Sequence, residues 1–520
     1  MKGAVAAGHP LTAEAGARIL REGGNAVDAC IAAGFVSWVV ESPLTGPGGG
    51  GFLLVHRASD RTDTLLDFFV AVPGHGFTGE RDEQVGVDIS FDGRTSQLFL
   101  VGGATCAVPG TVAGLAEAHR LYASLPWPVL LEPAIELAEE GVTISDEQGF
   151  LHDVLDAVLR FGPEARRIYG GAACLRPGDP LRLSDLAGTL RRLADEGAGD
   201  FYDGELAAAI AACAQAEGGV VTGADLREYR VVRRRPVRVA FAGHEFVSNP
   251  PPSSGGLLIS FALGVLDRLG GRVGRANAAE AARLAEVMRE ATAVRVRGFV
   301  SSLYRGGLSA RVLDDERLQD AAERVESAVR PVVREPSGLP STTHISVVDE
   351  RRNAASLSCS TGCGSGIVVP GTGIHLNNML GEVDLNPGGT VDRPGRRLTS
   401  MMAPSIALAE DCPRVVIGSA GSERLRGAIL QTVIDVVGAD RPLTDAIEAP
   451  RLHLDGERLH LEGGFDAATA DELEEDGYDV LRWDERNLYF GGVAAVALGP
   501  DGGLEAAGDP RRGGAGIVVS

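Results

Sequence analysis

The sequence predicts an α/β fold in which helices and sheets form layers of one large body. Three observations carry that prediction. Helical stretches, Ala-rich and amphipathic over residues 110–230 and charged over 276–330, fill the first part of the chain. After residue 342, runs of β-branched and small apolar residues take over. Between the two regimes, a Pro- and Gly-rich segment around 330–341 has no hydrophobic period.

Taken in chain order, the first 40 residues read as two helices. Thr12 is placed to cap the first, which Gly23-Gly24 ends. Asn25 is placed to cap the second, with Asp28 in its first turn and the apolar run AVDACIAAGFVSWVV as its body. GPGGGGFLLVH (Gly46 to His56) follows. Its four consecutive glycines lead into a strand, without the Gly-Lys-Ser/Thr and helix that a phosphate loop needs, so they let a backbone pass close to core or ligand. TVAGLAEAHRLY and GELAAAIAACAQAEGG are helical. NPPPSSGG (Asn249 to Gly256) is a rigid turn before another helix. THISVVD, AASLSCS, APSIALA, RVVIGSAG and VAAVALG then read as strands.

Bulk properties exclude several classes of function. Of 520 residues, 44% are hydrophobic and 23% charged, as in a globular protein. A net charge of −22 excludes the basic face that nucleic acid or an anionic membrane requires. The N-terminal stretch lacks a signal-type apolar core, and no run of about 18 apolar residues follows, so the expectation is a cytoplasmic chain. Seven scattered cysteines without CxxC spacing read as small buried thiols. The histidines form no paired ligand spacing, so neither metal nor cofactor is expected.

The junction at Thr342 carries the chemistry. In THISVVD, residues Thr343, Ile345 and Val347 face one way, and His344, Ser346 and Val348 the other. A three-residue loop pairing Asp349 with Asn353 sets Thr342 opposite Ser360, whereas a four-residue loop brings Thr361 there instead. If the Ser341–Thr342 bond is cut, Thr342 gains a free α-amino group with a reference pKa near 8. That amine can take the proton of its own Oγ, so one residue supplies both nucleophile and base. Ser360 is then placed to orient the Oγ. The plainer reading is a Thr that merely opens a hairpin, and a His344 that is a satisfied core histidine.

With these residues in view, the chain resembles the γ-glutamyltranspeptidase family of N-terminal-nucleophile hydrolases over nearly its whole length. The matching segments run in order: REGGNAVDACIAAGF, GPGGGGFLLVH, AVPGTVAGLAEAH, DPLRLSDLAGTL, GGVVTGADLREYR, NPPPSSGG, TTHISVVD, GIHLNNML, RRLTSMMAPSIAL and IGSAGSERL. The resemblance implies a four-layer αββα sandwich built from two entwined segments. These are a helix-rich large subunit, 1–341, and a strand-rich small one, 342–520, which form a heterodimer after self-cleavage. It implies Thr342 as nucleophile and the backbone N–H groups of Gly421 and Ser422 as oxyanion hole. It implies a small-molecule acyl donor with water or an amine as acceptor.

The departures concern the substrate. Where the family carries an Arg for the donor's α-carboxylate, DFFVAVP places Phe69, and Phe cannot form the bidentate ion pair of an Arg. Glu382 falls where an acid binds the α-amino group. Thr361 lies closest to a family Asn, and Thr399 and Ser400 match a carboxylate-binding hydroxyl pair. Arg396, Arg397 and Arg424 are candidate replacement cations. Three functions therefore stay open. One is a γ-glutamyl hydrolase or transpeptidase. Another applies the same mechanism to a different donor, as in cephalosporin-type acylases or C–C bond hydrolases of alkylproline-type antibiotic pathways. The third is an uncleaved binding homologue, disfavoured by retention of Thr342, Ser360 and Gly421.

Overall fold

The computed structural model describes residues 2–90, 96–270, 274–296, 298–327, 342–382, 393–499 and 501–520. The segment expected to be the linker, with the Ser341 side of the expected cleavage bond, lies outside them. In chain order the elements that frame the site are β1 (Gly3–Ala7), α1 (Pro10–Arg21), α2 (Ala26–Val40), β2 (Gly50–Arg57), β3 (Thr62–Phe68), α3 (Thr111–Tyr122), α4 (Trp127–Glu140) and α5 (Ser184–Glu196). They continue with β4 (Val232–Arg234), β5 (Val237–Phe241), β6 (His244–Ser248), α6 (Gly255–Leu269), α7 (Ala278–Ala293), β7 (Thr343–Asp349) and β8 (Ala354–Ser360). The last are β9 (Ser405–Ala409), β10 (Cys412–Ala420), α8 (Arg424–Val433), β11 (Gly492–Leu498), β12 (Leu504–Gly508) and β13 (Ala515–Val519).

One sheet runs β13-β1-β7-β8-β2-β3-β4 and the other β12-β11-β10-β9-β6-β5. The period-2 pattern of the strands sorts their side chains into three apolar layers. Val5, Ala7, Leu53, Val55, Ile345, Val347 and Leu357 pack outward against α1 to α5. Ala4, Ala6, Phe52, Leu54, Val348, Ile406, Leu408, Val416 and Val496 fill the space between the sheets. Ala407, Val415, Ile417, Val493 and Ala495 pack outward against α6 to α8. The result is the αββα sandwich. Strands from both sides of residue 342 share each sheet, and β7 lies between β1 and β8, so the two segments form one fold.

Every residue of α2 is buried, which is why its sequence is apolar on all sides. Its Asn25 cap forms the expected reciprocal box with Asp28. The first helix differs from expectation. His9 caps it, accepting from the Leu11 N–H, because the Thr12 hydroxyl is drawn instead to Glu41. The strand Gly3–Ala7, whose small residues carry no strand signature, also precedes it. Three short strands, β4 to β6, occupy 232–248, where the sequence is too rich in Arg to read as sheet.

Candidate active site

The β7–β8 turn fixes the register. The Asp349 carboxylate accepts from the N–H groups of Arg351 (2.9 Å) and Asn353 (3.0 Å) and, from the second segment of chain, ties to the Ala26 N–H at the start of α2 (3.1 Å). A carboxylate suits that end of a helix. The Asp349 N–H donates to the Asn353 carbonyl, so the loop has three residues, and Thr343 pairs with Cys359 and His344 with Ser358. One step further along the same register, Thr342 stands opposite Ser360, and the alternative with Thr361 does not occur.

The four glycines press this end of the sheet against the protein's own backbone. A Cβ on Gly48 would lie 2.1 Å from the His375 carbonyl oxygen, one on Gly49 2.4 Å from that of Ser360, and one on Gly51 2.3 Å from that of Ser358. The run is a packing device, not a ligand cradle.

His344 points into the space between the sheets, with Nδ1 2.8 Å from Ser358 Oγ and Nε2 3.0 Å from Ser346 Oγ. Burial pushes its pKa down to about 3, so it stays neutral and serves the core. It packs against β10 at Gly418, where a Cβ would meet the ring at 2.2 Å. Two residues further along each strand, Thr342 and Ala420 line one cavity of about 30 Å³.

Gly421 and Ser422 follow at once, between β10 and α8. Gly421 has φ +135° and Ser422 φ +50°, and the Gly421 carbonyl accepts from the Arg424 N–H at 3.0 Å. The turn thus sets backbone N–H groups at the N-terminal end of a ten-residue helix, where the dipole favours negative charge.

The residues expected to read the substrate divide. Ser400 is held by the NPPPSSGG turn: its carbonyl accepts from the Ser254 N–H (2.8 Å) and the Ser253 hydroxyl (2.9 Å), while its Oγ accepts from the Met402 N–H (3.0 Å). Thr399 is buried beside it. Thr361 ties in through its backbone, donating to Leu44 and accepting from Asn378, and its buried hydroxyl meets no partner among the described residues. Gly362 (φ +67°) faces Glu382. A Cβ there would lie 2.0 Å from Asn378 Oδ1 and 2.9 Å from Glu382 Oε1. Asn378 was not anticipated. Its only sequence signal is the paired Asn of GIHLNNML, and its amide donates to Leu100 (3.2 Å) and to the Cys363 sulfur (2.9 Å).

Phe69 lies wholly within the apolar layer between the sheets, stacked on Phe52 with centroids 5.4 Å apart. Arg397 is not available as the replacement cation that the sequence offered. Its guanidinium is spent on the Phe69 and Arg230 carbonyls and on Asp67 (3.2 Å), with its face 4.7 Å from the Tyr229 ring. Arg424 lies over Tyr489 and Arg396 over Tyr304. Cys359 and Cys363 are buried free thiols, as expected.

A sequence model of γ-glutamyltranspeptidase matches residues 12–519. The chain belongs to the γ-glutamyltranspeptidase family. It is 32% identical over 528 residues to the acylase ACY 1 proenzyme of Pseudomonas sp. strain SE83, covering 100% of this chain and 94% of that one. It is 33% identical over 546 residues to the glutathione hydrolase proenzyme of Pseudomonas aeruginosa, covering 99% and 94%. The fold matches that of the cephalosporin acylase from Bacillus halodurans, with a TM-score of 0.82 at 24% identity over 99% of this chain and 95% of that one. This γ-glutamyltranspeptidase-family chain is therefore an enzyme of the N-terminal-nucleophile hydrolase type. Among its described residues no helix is long and apolar enough to cross a membrane.

Proposed function

We propose that the chain is a proenzyme that cuts its own Ser341–Thr342 bond, leaving segments 1–341 and 342–520 as a heterodimer, and that Thr342 is the nucleophile of the mature enzyme. The observation that carries this reading is the hairpin register, which sets Thr342 opposite Ser360 and on one cavity with Ala420, beside the Gly421–Ser422 turn. In the mature enzyme the Thr342 α-amino group takes the Oγ proton as Oγ attacks the donor's carbonyl carbon. The N–H groups of Gly421 and Ser422 receive the oxyanion. Collapse expels the leaving amine, which takes that proton, and leaves an ester on Thr342. Water or a second amine then attacks the ester, and the acyl group departs with Oγ reprotonated.

The donor is not a plain γ-glutamyl group. Phe69 puts an apolar ring where a carboxylate-binding Arg is expected, and Arg397 is committed to Asp67 and backbone. Glu382, Thr399 and Ser400 would hold an amino group or polar edge of the donor. An acylase-type donor with an apolar acyl portion fits this combination. The near-equal identities to an acylase and to a glutathione hydrolase leave the choice to the site itself.

The test is glutamate release from a γ-glutamyl anilide by protein already in two pieces, alongside hydrolysis of an apolar acyl amide. The expected result is processing that is lost in Thr342→Ala, weak or absent glutamate release, and acyl-amide hydrolysis. A Thr342→Ala chain that still yields two fragments would overturn the nucleophile. Efficient glutamate release would overturn the altered donor.

A further inference from the structure

Glu41 is a buried carboxylate in an expensive place. It closes the C-terminal end of α2, where the helix dipole opposes negative charge, and is only 5% exposed. Both its oxygens are engaged: the Thr12 hydroxyl donates to Oε1 at 2.7 Å and the Thr343 hydroxyl to Oε2 at 2.5 Å. Gly8 leaves room for this contact, since a Cβ there would lie 2.6 Å from Oε2 and 3.1 Å from Thr343 Oγ1. Thr343 follows Thr342 directly, and Glu41, Thr342 and Thr343 line the same small cavity.

The other titratable and polar side chains lining that cavity are His9 before α1, Gln148, His344 on β7, and Asp509 and Arg512 near the C-terminus. Burial keeps His9 mostly neutral, at about 4. Burial also raises the Glu41 carboxyl above its usual range, against the Thr343 and Thr12 hydrogen bonds and the Arg512 charge.

Resting on the reading of Thr342 as nucleophile, we propose that Glu41 is a positioning residue for it: the Thr12–Glu41–Thr343 clamp fixes the peptide between residues 342 and 343 and so aims the Thr342 Oγ and, after cleavage, its α-amino group. A purely structural residue at this point would be better uncharged. The ionised carboxylate accepts from both hydroxyls at once, whereas a protonated acid or an amide keeps one acceptor and must turn the other hydroxyl round to accept, which changes the geometry at Thr12 or Thr343.

The test follows conversion of full-length chain to two fragments from the start of cell-free synthesis, which requires no substrate. Glu41→Gln should slow maturation about 10- to 100-fold, the scale of a misplaced reacting group, while its thermal midpoint at pH 8 stays at or above the parent's. The parent's rate should fall in acid as Glu41 protonates, and the Gln variant's should lack that limb. Thr343→Val should behave like Glu41→Gln, and Thr343→Ser should recover most of the rate. Parental maturation in Glu41→Gln, equal rates for the Val and Ser variants, or a joint loss of midpoint and rate would each overturn the clamp. Thr342→Ala separates the two ideas. If it blocks maturation while Glu41→Gln does not, only the clamp falls; if it matures, the nucleophile falls and the clamp with it.

Discussion

The proposed site has two halves that are built differently. The reaction half, Thr342, Ser360 and the Gly421–Ser422 turn, rests on strand register, on close backbone approach and on main-chain N–H groups. The substrate half, Phe69, Glu382, Thr399 and Ser400 with Gly362 and Asn378 beside them, rests on side chains carried by loops and strand ends. A backbone device survives most single substitutions, because every residue but Pro brings an N–H. A side-chain device is lost with one residue. On the proposed reading, the contrast would let this chain keep the family's chemistry with Phe69 where an Arg is expected.

The largest effect should come from forcing the substrate half back to the family pattern. Phe69→Arg would bury a guanidinium in the layer between the sheets, against Phe52, with Asp67 already paired to Arg397 and Arg234. An uncompensated buried charge costs about 3–5 kcal/mol. The expected outcome is a urea midpoint shifted down accordingly, with no gain in glutamate release. A stable Phe69→Arg enzyme that releases glutamate would break the comparison, because position 69 alone would then choose the donor.

Acid should strain both halves through buried neutral histidines. His344 lies under the reaction half at about 3, and His375, whose Nε2 accepts from the Gly366 N–H at 3.0 Å, braces the substrate-side loop at about 4; burial is the cause in each case. A folded-state pKa below the unfolded value of 6.5 gives stability that is present above pH 6.5 and lost as pH falls through the folded pKa. For His375 the span from 6.5 to about 4 corresponds to roughly 3 kcal/mol at most. Unfolding free energies measured across that window should fall in the parent and fall less in His375→Gln. An identical slope in the variant would mean that His375 titrates alike in the folded and the unfolded protein.

Local rules made the hairpin that starts at Thr342 legible in the sequence. Asp349 and Asn353 flanking three turn residues, with alternating side chains, give the register, the inward-facing His344 and the Thr342–Ser360 pairing. The Asn25 cap and the passing glycines were readable for the same reason. What failed depended on partners distant in sequence. Thr12 has the chemistry of a cap, but Glu41, 29 residues on, claims its hydroxyl. Arg397 has the chemistry of a substrate clamp, but Asp67 and the Phe69 carbonyl reach it first. Gly362 and Asn378 meet only through the fold, so no local pattern in the sequence brings them together. Strands β4 and β5 carry Arg at the edges of their sheets, where sheet periodicity gives way to surface charge, and β6 beside β5 opens on His244.

The smallest effect sharpens the reaction half. Ser422 holds φ +50°, a left-handed conformation that costs an L-residue roughly 1–2 kcal/mol and that Gly adopts freely. Ser422→Gly removes that strain but adds unfolded-state entropy of about 0.5–1 kcal/mol. The net change in stability should stay within about 1 kcal/mol and favour the variant. If the hydroxyl has no part in the chemistry and only the N–H receives the oxyanion, the matured Ser422→Gly enzyme should keep its kcat within about twofold, since losing one donor would cost a hundredfold or more. A large fall in kcat at unchanged stability would place the Ser422 side chain, not its backbone, in the reaction. The boundary between the two halves would then have to be redrawn through that turn.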